Sequence, residues 1–249
     1  MTAVPRALRM GPLFSALAPC LRPLSPRLAD KLGLAADLSS PLLARRYLRF
    51  INAFDNAGKA ALVTPEFYEQ HAGSPTLEWV STRMSEPEAG SHALDRMLYF
   101  DIREYLPYDL LVKIDIATMA HALESRSPLL DYRMLELSAR MPASLKLSHG
   151  EKKAVFKKAL EELFPRAHLD RRKMGFGIPI HDWFRGELKE MAVDVLTSPR
   201  SAQRGIIRPA AVRRMLDDHF SGRSGEGVRI WTLLFLEMWF RRWVDGEAG

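Results

Sequence analysis

Apolar positions recur at helical spacing through most of this chain. After Ser40 and Pro41, an N-cap and first-turn pair, Leu43, Tyr47, Phe50, Ile51 and Phe54 fall on one face while Arg45 and Arg49 fall on another, which predicts an amphipathic helix with a basic side. Thr64 and Pro65 repeat the start signal for a short helix, and 75–84 reads as another. Across 91–105 the placement of Leu94, Met97, Leu98 and Tyr99 predicts a helix that Pro107 ends. Asp131 is positioned to cap a helix carrying Met134, Leu135, Leu137 and Met141, closed by Pro142.

Beyond that point 144–147 reads as a short strand, and 151–164 as a helix with Val155, Phe156, Ala159, Leu160 and Leu163 on its dry side and Lys152, Lys153, Lys157 and Lys158 on the wetter one. Pro165 stops it. The segment 166–179 has no periodicity, two glycines and the basic residues Arg166, Arg171, Arg172 and Lys173, the composition of an ordered functional loop. Three more helices are predicted near 188–196, 209–220 and 228–243. Strand signals are nearly absent, and neither an internal repeat nor a long linker divides the chain. A free-standing doubly wound enzyme alternates strands with helices, so this is either an all-helical domain or the helical part of something larger.

Composition narrows the partners. With 249 residues, 47% of them apolar, the chain can bury a substantial core. Thirty-six Lys and Arg against 30 Asp and Glu leave a net charge of +6, which suits a polyanion such as a nucleotide and equally suits an ordinary basic enzyme. One cysteine, Cys20, excludes an internal disulfide and a Cys-based zinc cluster and fits a reducing cytoplasm. The most apolar C-terminal run, 230–243, is interrupted by Glu237, Arg241 and Arg242 and is shorter than the roughly 20 residues that span a bilayer, so no membrane span is expected. Residues 1–29 hold four arginines and no acidic group, yet Pro12 and Pro19 break the thin apolar patch, and helix and loop are expected there rather than a targeting peptide. His149, His168, His181 and His219 lie far apart along the chain without partnered motifs, so no dedicated protein-metal site is expected. His121 stands where the helix pattern wants apolar or small residues, and a packed, hydrogen-bonded histidine is expected.

Chemistry concentrates in two stretches. Residues 106–131 read LPYDLLVKIDIATMAHALESRSPLLD, which sets Asp109, Lys113, Asp115, Glu124, Arg126 and Asp131 in an otherwise apolar run. Charges there must be paired, exposed or aimed at a ligand, because an unpaired buried charge is strongly unfavourable. Residues 171–180 read RRKMGFGIPI and set Lys173 against Gly175 and Gly177.

The first stretch resembles the synthetase domain of glutamine-hydrolysing asparagine synthetases, whose pattern runs approximately LPxDLLxKxDxxSMAxxLExRxPFLD. The departures are mild, with Thr118 where Ser is usual and Leu129 where Phe is usual. The family's K-x-G-F-G-x-P pattern is matched by Lys173 to Pro179, its W-x-R-G-x-L segment by Trp183, Arg185, Gly186 and Leu188, and its late L-W pair by Trp231.

The resemblance implies a mainly α chain: the helical C-terminal part of an adenine-nucleotide alpha-hydrolase-like, PP-loop ATPase α/β synthetase domain whose nucleotide-binding strands are missing. On that reading 1–249 is one partial domain, with 1–40 weakly defined and 41–245 a helical core. The implied chemistry is an ATP-dependent amidotransferase or ligase, in which ATP and Mg activate aspartate or a related carboxylate as an acyl adenylate that glutamine-derived ammonia then attacks. Lys173 is implied to contact the phosphates and the developing charge; a flexible ammonium beside glycines that let backbone approach phosphate suits that task.

Lys113 and Asp115 are expected to face the site with Gly175 and Arg126, although Asp109 and Lys113, four apart, also suit a structural helix pair. Glu124 and Arg126 serve equally to anchor the turn before Pro128, and Asp131 serves as a cap. Two family features are absent. Thr2 stands where the glutaminase half has its cysteine, and no S-G-G-x-D-S phosphate loop occurs; Ser224-Gly225-Glu226-Gly227 resembles a second family motif, SGEGxDE, only superficially. The expected partner is therefore the missing N-terminal half of the enzyme or a separate chain, and the isolated chain is expected to be inactive. The alternative is a basic helical module in which Arg45, Arg49, the lysine face at 152–158 and 171–173 bind nucleic acid. The lack of interleaved aromatics and of a reader motif makes nucleic acid an unfavoured partner.

Overall fold

The computed structural model describes residues 11–21, 25–71, 76–171 and 177–246, and among these the chain is mainly helical. The N-terminal helices are α1 (Gly11–Leu21), α2 (Pro26–Leu38), α3 (Leu43–Ile51), α4 (Asn56–Leu62), α5 (Pro65–His71) and α6 (Thr76–Arg83). The middle holds α7 (Ala93–Phe100), α8 (Val112–Met119), α9 (Tyr132–Arg140), α10 (Ala143–Lys146), a two-stranded hairpin of β1 (Leu147–Ser148) and β2 (Glu151–Lys152), α11 (Ala154–Leu160) and α12 (Arg166–Leu169). The last part holds α13 (Ile180–Arg185), α14 (Lys189–Leu196), α15 (Pro199–Gln203), α16 (Pro209–Phe220) and α17 (Gly227–Trp239). Two compact units result: 1–77 with 177–249, and 78–176.

The first unit holds the larger core. Phe184 of α13, Ala192 and Leu196 of α14, Val212 and Leu216 of α16, Leu62 of α4, and Ile230, Leu233 and Leu234 of α17 are buried together. Enclosing each large side chain of this set contributes about 1.5–3 kcal/mol. In α17 the buried positions 230, 233, 234 and 237 follow the i, i+3, i+4, i+7 stripe, and the fourth is Glu237. Its carboxylate is met by Arg204 at 2.6 Å and by Arg241 at 3.0 Å, while Arg204 also holds Asp245 at 2.6 Å. The buried charge is thus paired. N- and C-terminal parts of the unit are stitched by backbone: Val63 bridges Ile207, the Thr64 N–H donates to the Ile206 carbonyl and the Arg208 N–H to the Leu62 carbonyl.

Several expectations need correction. The dry face of α3 is Ala44, Tyr47 and Leu48, whereas Phe50 is 75% exposed, so burial follows the i, i+3, i+4 set that starts at Ala44 rather than the larger apolar side chains. Pro107 does not end a helix. The turns widen instead, so that α7 continues through an i→i+5 helical stretch, Asp101–Leu111, into α8. A wider turn accommodates a residue that lacks an N–H and crowds the preceding turn. Residues 143–146 are helix, and the strand begins at Leu147. His149 (φ 49°) and Gly150 (φ 84°) form the two-residue turn between the strands, with both central residues in the left-handed region as a primed hairpin turn requires. The hairpin takes Glu151 and Lys152 out of the helix predicted over 151–164, which is confined to α11. α13 and α15 are too short to leave a clear periodic signal.

The second unit has a smaller core of Val80, Met84, Ala89 and Phe100, with Trp79 edge-on to Phe100 at 5.5 Å. A polar cluster lies beside it: Arg83 pairs with Glu86 at 2.8 Å and Glu104 at 3.0 Å, and the Tyr99 hydroxyl donates to Glu86 at 2.6 Å. The phenol and the guanidinium hold the Glu86 carboxyl below the usual range.

Candidate functional site

The 106–131 stretch lies wholly in the second unit, in the helical run that leads through α8 into an extended segment and then the turn Pro128–Leu130. α8 ends where Ala120 closes the helix and Ala122 takes a positive φ of 56°, the left-handed step that turns the chain out of a helix. Every residue from 119 to 129 is exposed, His121 included, so the packed histidine expected there is not found. Its position follows the end of α8 rather than extending a helix.

The charged residues close on near sequence neighbours. Lys113 Nζ lies 3.9 Å from Asp109 Oδ1 one turn earlier, and both are exposed. Asp115 is exposed in the first turn of α8. Arg126 meets Glu124 at 2.6 Å in the extended segment. Asp131 caps α9, accepting the Arg133 N–H at 2.9 Å and gripping the Arg133 guanidinium at 2.9 and 2.8 Å. Those Arg133 hydrogen bonds hold the Asp131 carboxyl below its ordinary value. Lys113 and Asp109 thus lie within ion-pair distance one helical turn apart, and Asp131 caps α9. Lys173 and Gly175 lie outside the described residues.

One cluster went unread in the sequence. Lys157, placed on a wet helix face, reaches Glu151 at 3.0 Å and Asp170 at 2.9 Å. Arg166 pairs with Asp170 at 2.7 Å, with Glu151 at 3.3 Å and with Glu161. The two cations hold the Asp170 carboxyl below its usual range, and the carboxylates raise Lys157 and Arg166. The network fixes the chain immediately before Arg171, where the glycine-flanked segment starts. The i, i+4 spacing of Arg166 and Asp170 was its one visible signal. Among the described residues no group of three or more His, Cys, Asp or Glu side chains is arranged to hold a metal ion.

The asparagine synthase family model matches residues 8–241, nearly the whole chain. The chain belongs to this family. It is 36% identical over 173 residues to a putative glutamine-hydrolysing asparagine synthetase of Mycobacterium tuberculosis, a match covering 68% of this chain and 26% of that protein. Asparagine synthetase 1 of Bacillus subtilis is 32% identical over 153 residues, covering 61% and 24%. The asparagine synthetase of Gallus gallus is 28% identical over 174 residues, covering 64% and 29%. The chain thus spans about a quarter of the length of the curated relatives it matches. No solved structure matches it. No helix among the described residues is long and apolar enough to cross a membrane.

Proposed function

We propose that this chain supplies the helical part of an ATP-dependent amidotransferase of the asparagine synthase type, acting on aspartate or a related carboxylate. The observation that carries the reading is the family match across 8–241, joined to the ordered agreement of 106–131 and 173–179 with the family's patterns. ATP would convert the carboxylate into an acyl adenylate, and glutamine-derived ammonia would displace AMP from it. The protein's task is then to position the reactants and to stabilise charge on the departing pyrophosphate and the tetrahedral centre.

Lys173 would meet the phosphates, with Gly175 keeping the backbone low beside them. The network of Lys157, Arg166, Glu151 and Asp170 would anchor the start of that segment. Lys113, Asp115 and Arg126 would face substrate or phosphate, and their exposure leaves them accessible to one. Asp109, Glu124 and Asp131 would hold the surrounding backbone. Mg would arrive on the phosphate oxygens of ATP, whose charge it would help to neutralise.

The phosphate loop and the glutaminase would come from further polypeptide, in the same or a separate chain, in a reducing, cytoplasmic setting. The test isolates the tagged chain with its bound polypeptides from its source and measures exchange of labelled pyrophosphate into ATP. Exchange that depends on aspartate or another carboxylate, is absent from the 249-residue chain alone, and falls by about 10² to 10³ in Lys173→Ala is the expected result. No carboxylate-dependent exchange in the assembly would sink the reading. Nucleic-acid binding that weakens steeply with salt and ignores ATP would replace it with the basic module.

A further inference from the structure

Ser224-Gly225-Glu226-Gly227 takes no part in the reaction proposed above, yet it leads into α17, whose first N–H groups have no partner inside the helix. Two histidines from other helices supply acceptors. The Glu226 N–H donates to His219 Nδ1 at 3.2 Å, at the end of α16, and the Gly227 N–H donates to His181 Nδ1 at 3.2 Å, in α13. His219 Nε2 lies 3.0 Å from the carbonyl oxygen of His181, and the ring centroids are 5.9 Å apart. His219 is completely enclosed. A Cβ at position 227 would stand 2.7 Å from His181 Nδ1 and 3.0 Å from His181 Cα, so glycine is what admits the imidazole this close.

This geometry fixes the proton. His219 Nδ1 receives an N–H and therefore carries none, so the ring is neutral and its Nε2–H donates to the His181 carbonyl. The surrounding charges are already committed. From α13, the Arg185 Nε donates to the His219 carbonyl at 3.2 Å and its guanidinium faces Asp182 at 3.6 Å. At the start of α17, Glu226 pairs with Arg229 at 3.0 Å. On the His219 side, Asp218 pairs with Arg223 at 2.8 Å, and from α14 Lys189 lies 5.0 Å over the ring of Phe220.

We propose that His219 and His181 form an acid-release latch on the start of α17: a proton on His219 Nδ1 turns an acceptor into a donor aimed at the Glu226 N–H and frees the junction of α13, α16 and α17. The partial positive charge at a helix N-terminus adds to the repulsion. Burial, aided by the nearby Arg185 guanidinium, holds the imidazole below the usual histidine range. A depressed histidine contributes its full stability above the unfolded value of about 6.5 and loses it as pH falls below that. Carboxylates held low, such as Asp131 and Asp245, act in a separate window that opens only below about 4.

The test is hydrogen exchange on the full-length protein as isolated, corrected for intrinsic rates, compared at about pH 7.5 and about pH 5.5, either side of the ordinary histidine value. Protection of the amides at 226–230 should fall by about tenfold per pH unit below 6.5, the slope of one proton taken up by the opened state, and level off where the enclosed His219 ring itself titrates by NMR. His219→Asn, which keeps an acceptor for the Glu226 N–H and does not titrate, should remove the acid step. Should that variant fail to fold, the wild-type titration decides alone. A ring that takes its proton while the α17 amides stay protected, or protection that is the same at both pH values, overturns the latch.

Discussion

Val112, Ile116 and Met119 in α8 fall at i, i+4 and i+7, the spacing at which α17 places Ile230, Leu234 and Glu237, yet the outcomes are opposite. The α17 stripe is 0–4% exposed, and the α8 stripe is 45%, 66% and 53% exposed. Helical period tells which residues share a face; burial requires a neighbour to cover that face. α17 has α13, α14 and α16 against it, and the described residues place no such layer on α8. The charges differ likewise. Buried Glu237 is held by Arg204, 33 positions away, as well as by Arg241 one turn on, while Lys113 and Arg126 are answered only by carboxylates within four residues in sequence.

The sharpest way to break this comparison is to truncate apolar side chains in both regions. Phe184→Ala, at a site with no exposed surface, should cost about 3–5 kcal/mol in denaturant unfolding. Glu237→Ala should cost roughly 1–3 kcal/mol by removing the buried acceptor that Arg204 and Arg241 share, with Glu237→Gln recovering part of the loss. Gly227→Ala should cost about 1–3 kcal/mol, because its new methyl would overlap His181. Asp131→Asn should lower the melting temperature slightly near neutral pH and abolish one acid-sensitive contribution. The sign follows from the depressed carboxyl: the stabilisation is present above the unfolded value of about 3.9 and is lost as pH falls below it. Ile116→Ala in the 249-residue chain should change stability by no more than about 0.5 kcal/mol. A loss comparable to that of Phe184→Ala would show that α8 is covered and would erase the contrast.

The cap at Asp131, the helix that follows it and α16 were legible because caps, prolines and apolar period are local signals. The family was legible in 106–131 and 173–179 for another reason: an ordered set of residue types identifies a lineage without any reference to contacts. α3 shows where local reading stops, since Ala44, Tyr47 and Leu48 are the buried set although Phe50 is the larger apolar side chain. Pro107 shows the same from the backbone side, because a proline's usual effect on a helix can be absorbed by widening the turns around it.

By itself the sequence determined the helical character and the family, both of which rest on order and spacing along one chain. Tertiary structure decided which faces are dry, that Lys157 and Arg166 share Asp170, and that His181 and His219, 38 positions apart, meet over one helix start. Apart from Arg166 and Asp170, four positions apart, those outcomes depend on distances between residues far apart along the chain, which no local pattern encodes.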